Sequence, residues 1–349
     1  MVAKRGTSRP RFALTDGKLR RLMDRDLLPP GTVVAGRFRV ETLLGEGGMG
    51  EVYAAVGPHG EAVALKLLHE KAARDPEITA RFRREAEIAK QISSPYVSAI
   101  LDAGEDADGR LFIAFERLFG EGLDERVKRE HCLPFADVGP LVADVFEGLV
   151  AAHDAQVVHR DIKPANLFIE TLRLTEKERA DGVQAERTRI LDFGISKRRS
   201  SGNGESSLTA ADATLGSFAY MAPEQVRGSA RVDGRADLYA LGAVAFRCLA
   251  GRLPFEGQNA LTLLALKLDR EPPTLASVTG DEWPLAIERF LAKMMARDRD
   301  QRFASALAAQ EAWDDLRAKM GGLSTPSPRT SDAPSPFDKT ENAGTWVGD

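Results

Sequence analysis

The strongest constraint on the fold is a change in the hydrophobic period partway along the chain. Apolar and polar residues alternate through 37–42, and extended runs follow at 51–56 and 61–67 after glycine-containing turns, as in antiparallel strands. After another extended run at 111–116, the helical period takes over. Helices are expected at 141–153, 236–250, 261–268, 286–295 and 304–320. A strand-rich part followed by a helix-rich part predicts an α+β protein with two unequal lobes.

One helix is expected inside the strand-rich part, at 77–92. Ile78, Phe82 and Ile92 fall on one face of this helix at steps near 3.6 residues. Glu85 lies in the middle of that same apolar face, where burying an unpaired carboxylate would be costly. Glu85 therefore either has a cationic partner or lies at a partly exposed edge of the helix.

Composition and charge argue against several classes of protein. The formal net charge is −4, so no overall positive field favours nucleic acid or an anionic membrane as a partner. Cys132 and Cys248 lie far apart and the histidines have no ligand spacing, which argues against a disulfide framework or a zinc site. No run approaches the roughly 18 apolar residues of a membrane span, and no apolar run follows the basic start. We therefore expect a soluble, cytoplasmic protein.

The same patterns divide the chain into four regions. They are a partly helical N-terminal extension, 1–36; a strand-rich lobe with the hinge after it, 37–118; a helix-rich lobe, 119–318; and a tail, 319–349. The tail is rich in Pro, Ser and Thr and has almost no apolar residues. Because such a segment cannot bury enough surface to offset its chain entropy, we expect the tail to be disordered.

A glycine-rich turn, GEGGMG at 45–50, joins the first two long strands. Glycines allow backbone N–H groups to approach anionic oxygens closely, although a plain hairpin turn has the same composition. A strand follows the turn, whereas a helix follows it in Rossmann and Walker-type nucleotide sites, and no Gly-Lys-Ser/Thr is present. The turn therefore fits a phosphate-covering hairpin better than either of those folds.

Lys66 ends an apolar strand that should lie beside this turn. Its ammonium group can face phosphate oxygens, or it can simply be a surface lysine at the end of a strand. Glu85 favours the first interpretation, because an ion pair between Lys66 and Glu85 would satisfy both groups.

Two polar motifs follow in the helix-rich part. The loop HRDIKPAN, 159–166, is expected to lie between two short buried strands, 157–158 and 167–169, and it carries Asp161, Lys163 and Asn166. A carboxylate, an amine and a carboxamide on one loop can orient a hydroxyl, neutralise a phosphate and bind a metal; a structural salt-bridge loop is the alternative. Asp192 directly follows an apolar strand and precedes Phe-Gly, which suits Mg²⁺, since this ion prefers one or two carboxylates with phosphate oxygens.

Taken in this order, the motifs resemble those of the eukaryotic-like (Hanks-type) bacterial serine/threonine protein kinases, over about 37–316. The resemblance implies a bilobal protein-kinase fold, with a small antiparallel β-sheet N-lobe that includes one regulatory helix and a larger, mostly helical C-lobe. It implies transfer of the ATP γ-phosphate to protein Ser/Thr hydroxyls, in signal transduction, with autophosphorylation of the activation loop. A pseudokinase scaffold and a small-molecule phosphotransferase are the alternatives. The Ala-Pro-Glu at 222–224 and the complete set of catalytic residue types count against them.

The resemblance also implies roles for individual residues. Lys66 contacts the α- and β-phosphates and pairs with Glu85, while Asp161 receives the hydroxyl proton and Lys163 reaches the γ-phosphate. Asn166 and Asp192 bind Mg²⁺, with Mn²⁺ as a substitute. The nucleotide-binding set is Leu44, Gly45, Gly47, Gly50, Val52, Ala64, Lys66, Phe115, Glu116 and Leu118.

Further contacts follow from the same resemblance. Ser217 should touch Asp161 and Lys163 near the acceptor hydroxyl. Glu224 should pair with Arg302, and Asp237 should brace the catalytic loop.

The chain departs from the family pattern between Asn166 and Asp192, which lie 26 residues apart, about twice the usual spacing. The extra segment, 171–188, is charged. We expect it to be an exposed, tolerated insertion.

Regulation and partners are expected mainly around the activation loop, 197–214. Arg160 precedes the catalytic aspartate, so a phosphate on Thr209 or Thr214 can pair with it and order the loop; a constitutively ordered loop is the alternative. The expected partners are protein substrates and, transiently, a second copy of the chain, and no nucleic acid. The tail is expected to be a linker, with a docking site for phosphothreonine-binding domains as the other interpretation.

Overall fold

The computed structural model describes residues 27–47, 50–73, 75–193, 215–228 and 232–320. Within these residues the chain forms a strand-rich N-terminal lobe and a helical C-terminal lobe, as the change of period predicts. The N-terminal lobe contains a six-stranded antiparallel sheet in the order β1-β2-β3-β4-β6-β5. Its strands are β1 Val33–Val34, β2 Phe38–Glu46, β3 Gly50–Val56, β4 Ala62–Leu68, β5 Ile100–Glu105 and β6 Leu111–Glu116.

The glycine-rich turn closes the hairpin between β2 and β3. Gly47 donates its N–H to the Gly50 carbonyl at 2.8 Å, while Gly48 and Met49 lie outside the described residues. A Cβ atom on Gly50 would lie 2.0 Å from the Leu67 carbonyl oxygen of β4. Only glycine therefore permits β3 and β4 to approach this closely at the mouth of the turn.

The chain then forms two helices in the N-terminal lobe and continues into a second, three-stranded sheet in the order β7-β8-β9. The two helices are α1 Glu70–Ala73 and α2 Pro76–Ala89, and the three strands are β7 Gly120–Gly122, β8 Leu167–Thr171 and β9 Glu186–Ile190. The remaining helices are α3 Leu123–Glu130, α4 Phe135–Asp154, α5 Glu176–Ala180, α6 Leu215–Tyr220, α7 Pro223–Val226, α8 Arg235–Ala250, α9 Ala260–Asp269, α10 Leu275–Thr279, α11 Leu285–Met294 and α12 Ala306–Met320.

Helix α8 is the centre of the C-terminal lobe. Almost all of its residues are buried, because α4, α10, α11 and α12 pack around it. The helix ends at Gly251, whose φ of 69° is the left-handed conformation that glycine adopts readily. Trp313 of α12 is fully buried and donates its indole N–H to the Gly139 carbonyl of α4 at 2.9 Å. This core fixes the start of α8, which lies directly beneath the candidate site.

Four details differ from the sequence-based expectations. Strand β1 forms within the segment assigned to the N-terminal extension, and the helix expected to reach residue 92 ends at Ala89. The apolar pair 157–158 is irregular rather than a strand. The insertion is not a plain loop: it extends β8 and β9 and contains α5, whose Thr175 and Glu178 form a capping box.

In the described parts of the chain, no helix has both the length and the apolar character that crossing a bilayer requires.

Candidate active site

The loop 159–166 gathers three predicted side chains around one carboxylate. The Asn166 amide donates to the Asp161 carbonyl at 2.8 Å and to Asp161 Oδ2 at 3.2 Å. Lys163 Nζ lies 3.5 Å from the same Oδ2. The Asp161 carboxylate is therefore oriented by a neutral donor and a cation from its own loop.

The conformation of this loop is imposed by helix α8. Fully buried Asp237, in the first turn of α8, accepts hydrogen bonds from the His159 N–H at 2.9 Å and the Arg160 N–H at 2.7 Å. Arg160 has a φ of 67°, a conformation that non-glycine residues rarely adopt. The expected bracing of the catalytic loop by Asp237 is thus present, and it offsets the cost of that conformation.

The second sheet brings Asp192 to the same place. The Leu191 N–H donates to the Asn166 carbonyl at 2.9 Å, so the residue after β9 lies against the catalytic loop. Asp192 Oδ1 lies 2.9 Å from Lys66 Nζ, which belongs to β4 of the other lobe. Lys66, Asp161, Asn166 and Asp192, which are distant in the sequence, therefore lie together at the junction of the two lobes.

Some predicted residues lie outside what the structure describes. Glu85 lies on α2 and Ser217 on α6, but their side chains are outside the described part of the chain, as are Thr209 and Thr214 entirely. The ion pair between Lys66 and Glu85, the contacts of Ser217 and the two phosphosites therefore stay predictions.

A recess beside the hinge contains part of the predicted nucleotide site. Its lining residues are Leu44, Ser98, Glu116, Arg117, Leu118, Phe168 and Leu191. Leu44, Glu116 and Leu118 were predicted here. Phe168 and Leu191 were not predicted, although Phe168 lies on the short apolar strand after the loop 159–166 and Leu191 directly precedes Asp192, and these positions are usable sequence signals. Among the described residues, the N–H of Leu118 has no hydrogen-bond acceptor, so it is available to a ligand.

Leu44, which lines this recess, belongs to an apolar cluster of the N-terminal lobe. Ala64 and Phe115 are paired across β4 and β6, and they pack in one apolar cluster with Leu44 and Val52. Gly45 pairs with Val52 across the hairpin. Ala64, Phe115, Leu44 and Val52, all predicted for the nucleotide site, therefore belong to one apolar cluster.

Buried Arg189 was missed by the sequence-based reasoning. It donates to the carboxylates of Glu116 and Glu170 and, at 3.0 Å, to the Val97 carbonyl. The Glu116 carboxylate also accepts the Ala99 N–H at 2.7 Å. The side chain of Glu116 therefore fixes the hinge to the second sheet rather than facing the nucleotide recess alone.

Two buried cations hold the end of the activation segment. Arg302 forms the predicted pair with Glu224, with two hydrogen bonds of 2.7 and 2.9 Å. Lys267 of α9 was not predicted. Its ammonium group donates to the carbonyls of Ala219 and Met221 at 2.6 and 2.9 Å, and burial, followed by the charge of Arg302, lowers its pKa to about 7.

The site offers oxygen donors that suit a hard cation. The amide oxygen of Asn166 has no hydrogen-bond donor among the described residues, and the side chain of Asp192 is 31% exposed. Within the described ranges, no group of three or more His, Cys, Asp and Glu side chains could hold a metal ion by itself. One carboxylate and one amide oxygen fit a magnesium-like ion, which takes its other ligands from phosphates and water.

Comparison with known proteins agrees with this geometry. The family model "Protein kinase domain" matches residues 38–314. Serine/threonine-protein kinase pkn3 of Myxococcus xanthus is 35% identical over 318 residues, which cover 90% of this chain and 56% of that protein. PknJ of Mycobacterium tuberculosis is 38% identical over 283 residues, covering 80% of this chain and 45% of that protein. The chain thus spans about half the length of these two relatives.

A solved structure shares the same architecture. The kinase domain of Mycobacterium tuberculosis PknI superimposes with a TM-score of 0.62 at 29% identity, covering 83% of this chain and 99% of that one. The bilobal protein-kinase fold expected from the motifs is therefore confirmed. This chain belongs to the protein kinase family, in its Hanks-type bacterial serine/threonine group.

Proposed function

We propose that this protein is a serine/threonine protein kinase that transfers the γ-phosphate of ATP to hydroxyl groups of protein substrates. One observation carries the proposal: the Asp161 carboxylate is oriented by Asn166 and Lys163 on one loop, beside a Lys66–Asp192 ion pair that joins the lobes. In-line phosphoryl transfer needs positioned charges more than covalent help from the protein. These groups are of the types that such positioning requires.

In the proposed mechanism Asp161 orients the substrate hydroxyl and accepts its proton. The hydrogen bond from the Asn166 side-chain amide to Asp161 Oδ2 keeps the carboxylate in one rotamer. Lys163 Nζ, which lies 3.5 Å from the same oxygen, balances negative charge on the transferred group. Lys66 contacts the α- and β-phosphates, and its ion pair with Asp192 fixes the direction of its ammonium group. The adenine ring lies in the hinge recess, where the Leu118 N–H offers a donor.

Asn166 and Asp192 are the residues that would hold the divalent cation, with Mg²⁺ proposed and Mn²⁺ as a substitute. Such an ion neutralises phosphate charge and thereby favours attack by the hydroxyl. The mixed carboxylate and amide oxygens support this choice, because they suit a cation that retains phosphate and water ligands.

Regulation, partners and location complete the proposal. A phosphate on Thr209 or Thr214 pairs with Arg160 and orders the activation loop, with Ser217 beside the acceptor, and the loop is phosphorylated by a second copy in a transient dimer. The tail, 319–349, is a linker, with capture by a phosphothreonine-binding partner as the alternative. A cytoplasmic location supplies the ATP that the reaction needs.

The test incubates the full chain with labelled ATP, Mg²⁺ and a basic test protein, beside the Asp161→Asn variant. Label on Ser and Thr residues of the test protein, absent with Asp161→Asn, is the expected result. Transfer to small metabolites alone would identify a small-molecule phosphotransferase, and absence of both transfer and ATP binding would identify a scaffold. Either of these outcomes would overturn the proposal.

A further inference from the structure

His69 directly follows the last residue of β4 and lies against the glycine-rich turn. Its Nε2 lies 3.1 Å from the Gly47 carbonyl oxygen, where the turn begins. Its Nδ1 lies 3.7 Å from Glu51 Oε1, near the start of β3. One imidazole ring therefore contacts both arms of the turn, and the function proposed above gives this side chain no role.

The two oxygen atoms beside the ring make different demands on it. A carbonyl oxygen can only accept, so Nε2 is the donor in the contact with Gly47. A neutral imidazole has a single N–H, and it would present the lone pair of Nδ1 to the Glu51 carboxylate. The imidazolium has an N–H on each nitrogen. Protonation of His69 therefore adds a favourable contact with Glu51 to the hydrogen bond with Gly47.

The Glu51 carboxylate is held in a fixed position. The residue is buried, and its Oε2 accepts hydrogen bonds from the Tyr53 hydroxyl at 2.7 Å and from Arg110 at 2.9 Å. Both bonds go to Oε2, so Oε1 is the oxygen that faces His69. Because Glu51 is anchored in this way, a charged His69 ring has a fixed anion to pair with.

The described contacts bring three titratable or charged groups to this ring: Glu51 and Tyr53 of β3, and Arg110, which directly precedes β6. Burial raises the pKa of Tyr53, so its hydroxyl keeps its proton at neutral pH. Arginine keeps its charge throughout, whereas histidine is the side chain that ordinarily changes charge between pH 5 and 8. The contact between His69 and Glu51 therefore depends on pH in this range.

The Gly47 contact acts on the part of the chain that is proposed to cover the phosphates. The Gly47 N–H donates to the Gly50 carbonyl at 2.8 Å, which joins the two arms of the turn. His69 adds a bond from the neighbouring strand β4, which also carries Lys66. The turn is thereby tied to the strand whose lysine is proposed to contact the same phosphates.

From these contacts we propose that His69 is a positioning residue for nucleotide binding, whose charged ring holds the glycine-rich turn where the turn covers the phosphates of ATP. The identity of the ligand rests on the proposed function. A binding surface that is held in place beforehand costs less to order when the ligand arrives. The contribution of His69 to ATP affinity should therefore be largest at low pH, where the ring is charged, and decrease as the pH rises.

The experiment is calorimetry of the full chain with ATP and saturating Mg²⁺ at pH 6.0, 7.0 and 8.5. His69→Leu removes both contacts of the ring, whereas His69→Gln keeps a side-chain N–H for Gly47 but has no charge. The matched control is His59→Leu, which removes an exposed histidine of the same lobe in the turn between β3 and β4. Each variant is compared with the wild type at the same pH, so the titration of the nucleotide itself cancels.

We expect His69→Leu to raise the Kd for ATP about tenfold at pH 6.0 and about threefold at pH 8.5, where the wild type keeps only the bond to Gly47. His69→Gln should raise the Kd about threefold at pH 6.0 and leave it near the wild-type value at pH 8.5. His59→Leu should match the wild type at every pH. At saturating ATP, kcat with the basic test protein should change less than about twofold in all three variants, because the groups proposed to act at the reacting atoms are retained.

Several results would overturn the role of His69 while leaving the kinase function standing. They are a Kd for His69→Leu that equals the wild-type value, a ratio of the two Kd values that stays level with pH, and the same ratio in His59→Leu. Loss of kcat with an unchanged Kd would also overturn it. If His69→Leu is unstable, a level ratio for His69→Gln is sufficient to refute the charged ring. A wild-type chain that binds no ATP at any pH would instead overturn the kinase function, and this proposal with it.

Discussion

Replacing Lys267 by methionine should destabilise the protein, and by an amount that grows with pH. The ammonium group of Lys267 is fully buried and donates to the Ala219 and Met221 carbonyls. The positive charge of Arg302, which is bonded to Glu224, acts on Lys267, and the Tyr239 ring lies 5.0 Å from Nζ. Methionine fills a similar volume but leaves both carbonyls without this donor.

The magnitude follows from the lost bonds and from the pKa. A buried acceptor left without its donor costs about 1–3 kcal/mol, so two of them give roughly 2–4 kcal/mol once relaxation is allowed for. The folded pKa of Lys267 is about 7, against its ordinary value of 10.5. Between these values the unfolded chain holds a proton that the folded chain lacks, so the contribution of Lys267 to stability rises with pH by up to about 1.4 kcal/mol per unit.

Urea unfolding of the wild type and Lys267→Met at pH 6.5, 7.5 and 8.5 measures this difference. The gap between the two free energies of unfolding should widen as the pH rises through 7. Lys293→Met, which removes an exposed lysine of the same lobe, should give a gap that is constant with pH. A Lys267→Met gap that stays level or narrows would mean that the folded protein keeps the ammonium charged, and the reasoning from burial would be wrong.

Three further predictions concern the site. Asp161→Asn should lower kcat by about 100-fold to 10,000-fold, because the variant loses the proton acceptor. Its affinity for ATP, measured by calorimetry, should stay near the wild-type value, because the nucleotide recess is kept. Arg302→Met should lower the free energy of unfolding by about 3–5 kcal/mol in denaturant titration, because it leaves the buried Glu224 carboxylate unpaired. The control Arg252→Met breaks the exposed Arg252–Glu256 pair and should change the free energy of unfolding by less than about 1 kcal/mol. Gly50→Ala should raise the KM for ATP about tenfold or more in steady-state assays. The alanine Cβ would collide with the Leu67 carbonyl and displace the glycine-rich turn proposed to cover the phosphates. An unchanged KM would show that the turn adapts.

Local pattern was sufficient to predict the two lobes and most of the elements. Only the resemblance to a known family placed Asp161 and Asp192 at one site, but alternation located β2 and β3, and helical period located α4, α8 and α12. These successes share a cause: the residue types and spacings that build each feature are close together in the sequence, so period and motif contain the information.

The residues that were missed depend on distant partners. Arg189 lies on a short strand, where alternation alone does not tell whether its side chain points inward or outward. Its partner Glu116 is 73 residues away in the sequence. Lys267 looks like an ordinary polar position of an apolar helix, and its carbonyl partners belong to a segment 46–48 residues earlier. Burial of a charge can be recognised only when the groups that satisfy it are known, and those groups come from tertiary packing.

The two unusual backbone conformations of the site suggest how the fold maintains its geometry. Arg160 and Asp192 both have positive φ, 67° and 41°, although neither is glycine, and each such conformation costs on the order of 1–3 kcal/mol. Asp237 offsets the first with two backbone hydrogen bonds, and the ion pair with Lys66 favours the second from the opposite lobe. The catalytic loop is therefore held by the core of its own lobe, whereas the orientation of Asp192 depends on the N-terminal lobe. Movement between the lobes would consequently disturb the residue proposed to bind the metal before it disturbs the proposed catalytic base.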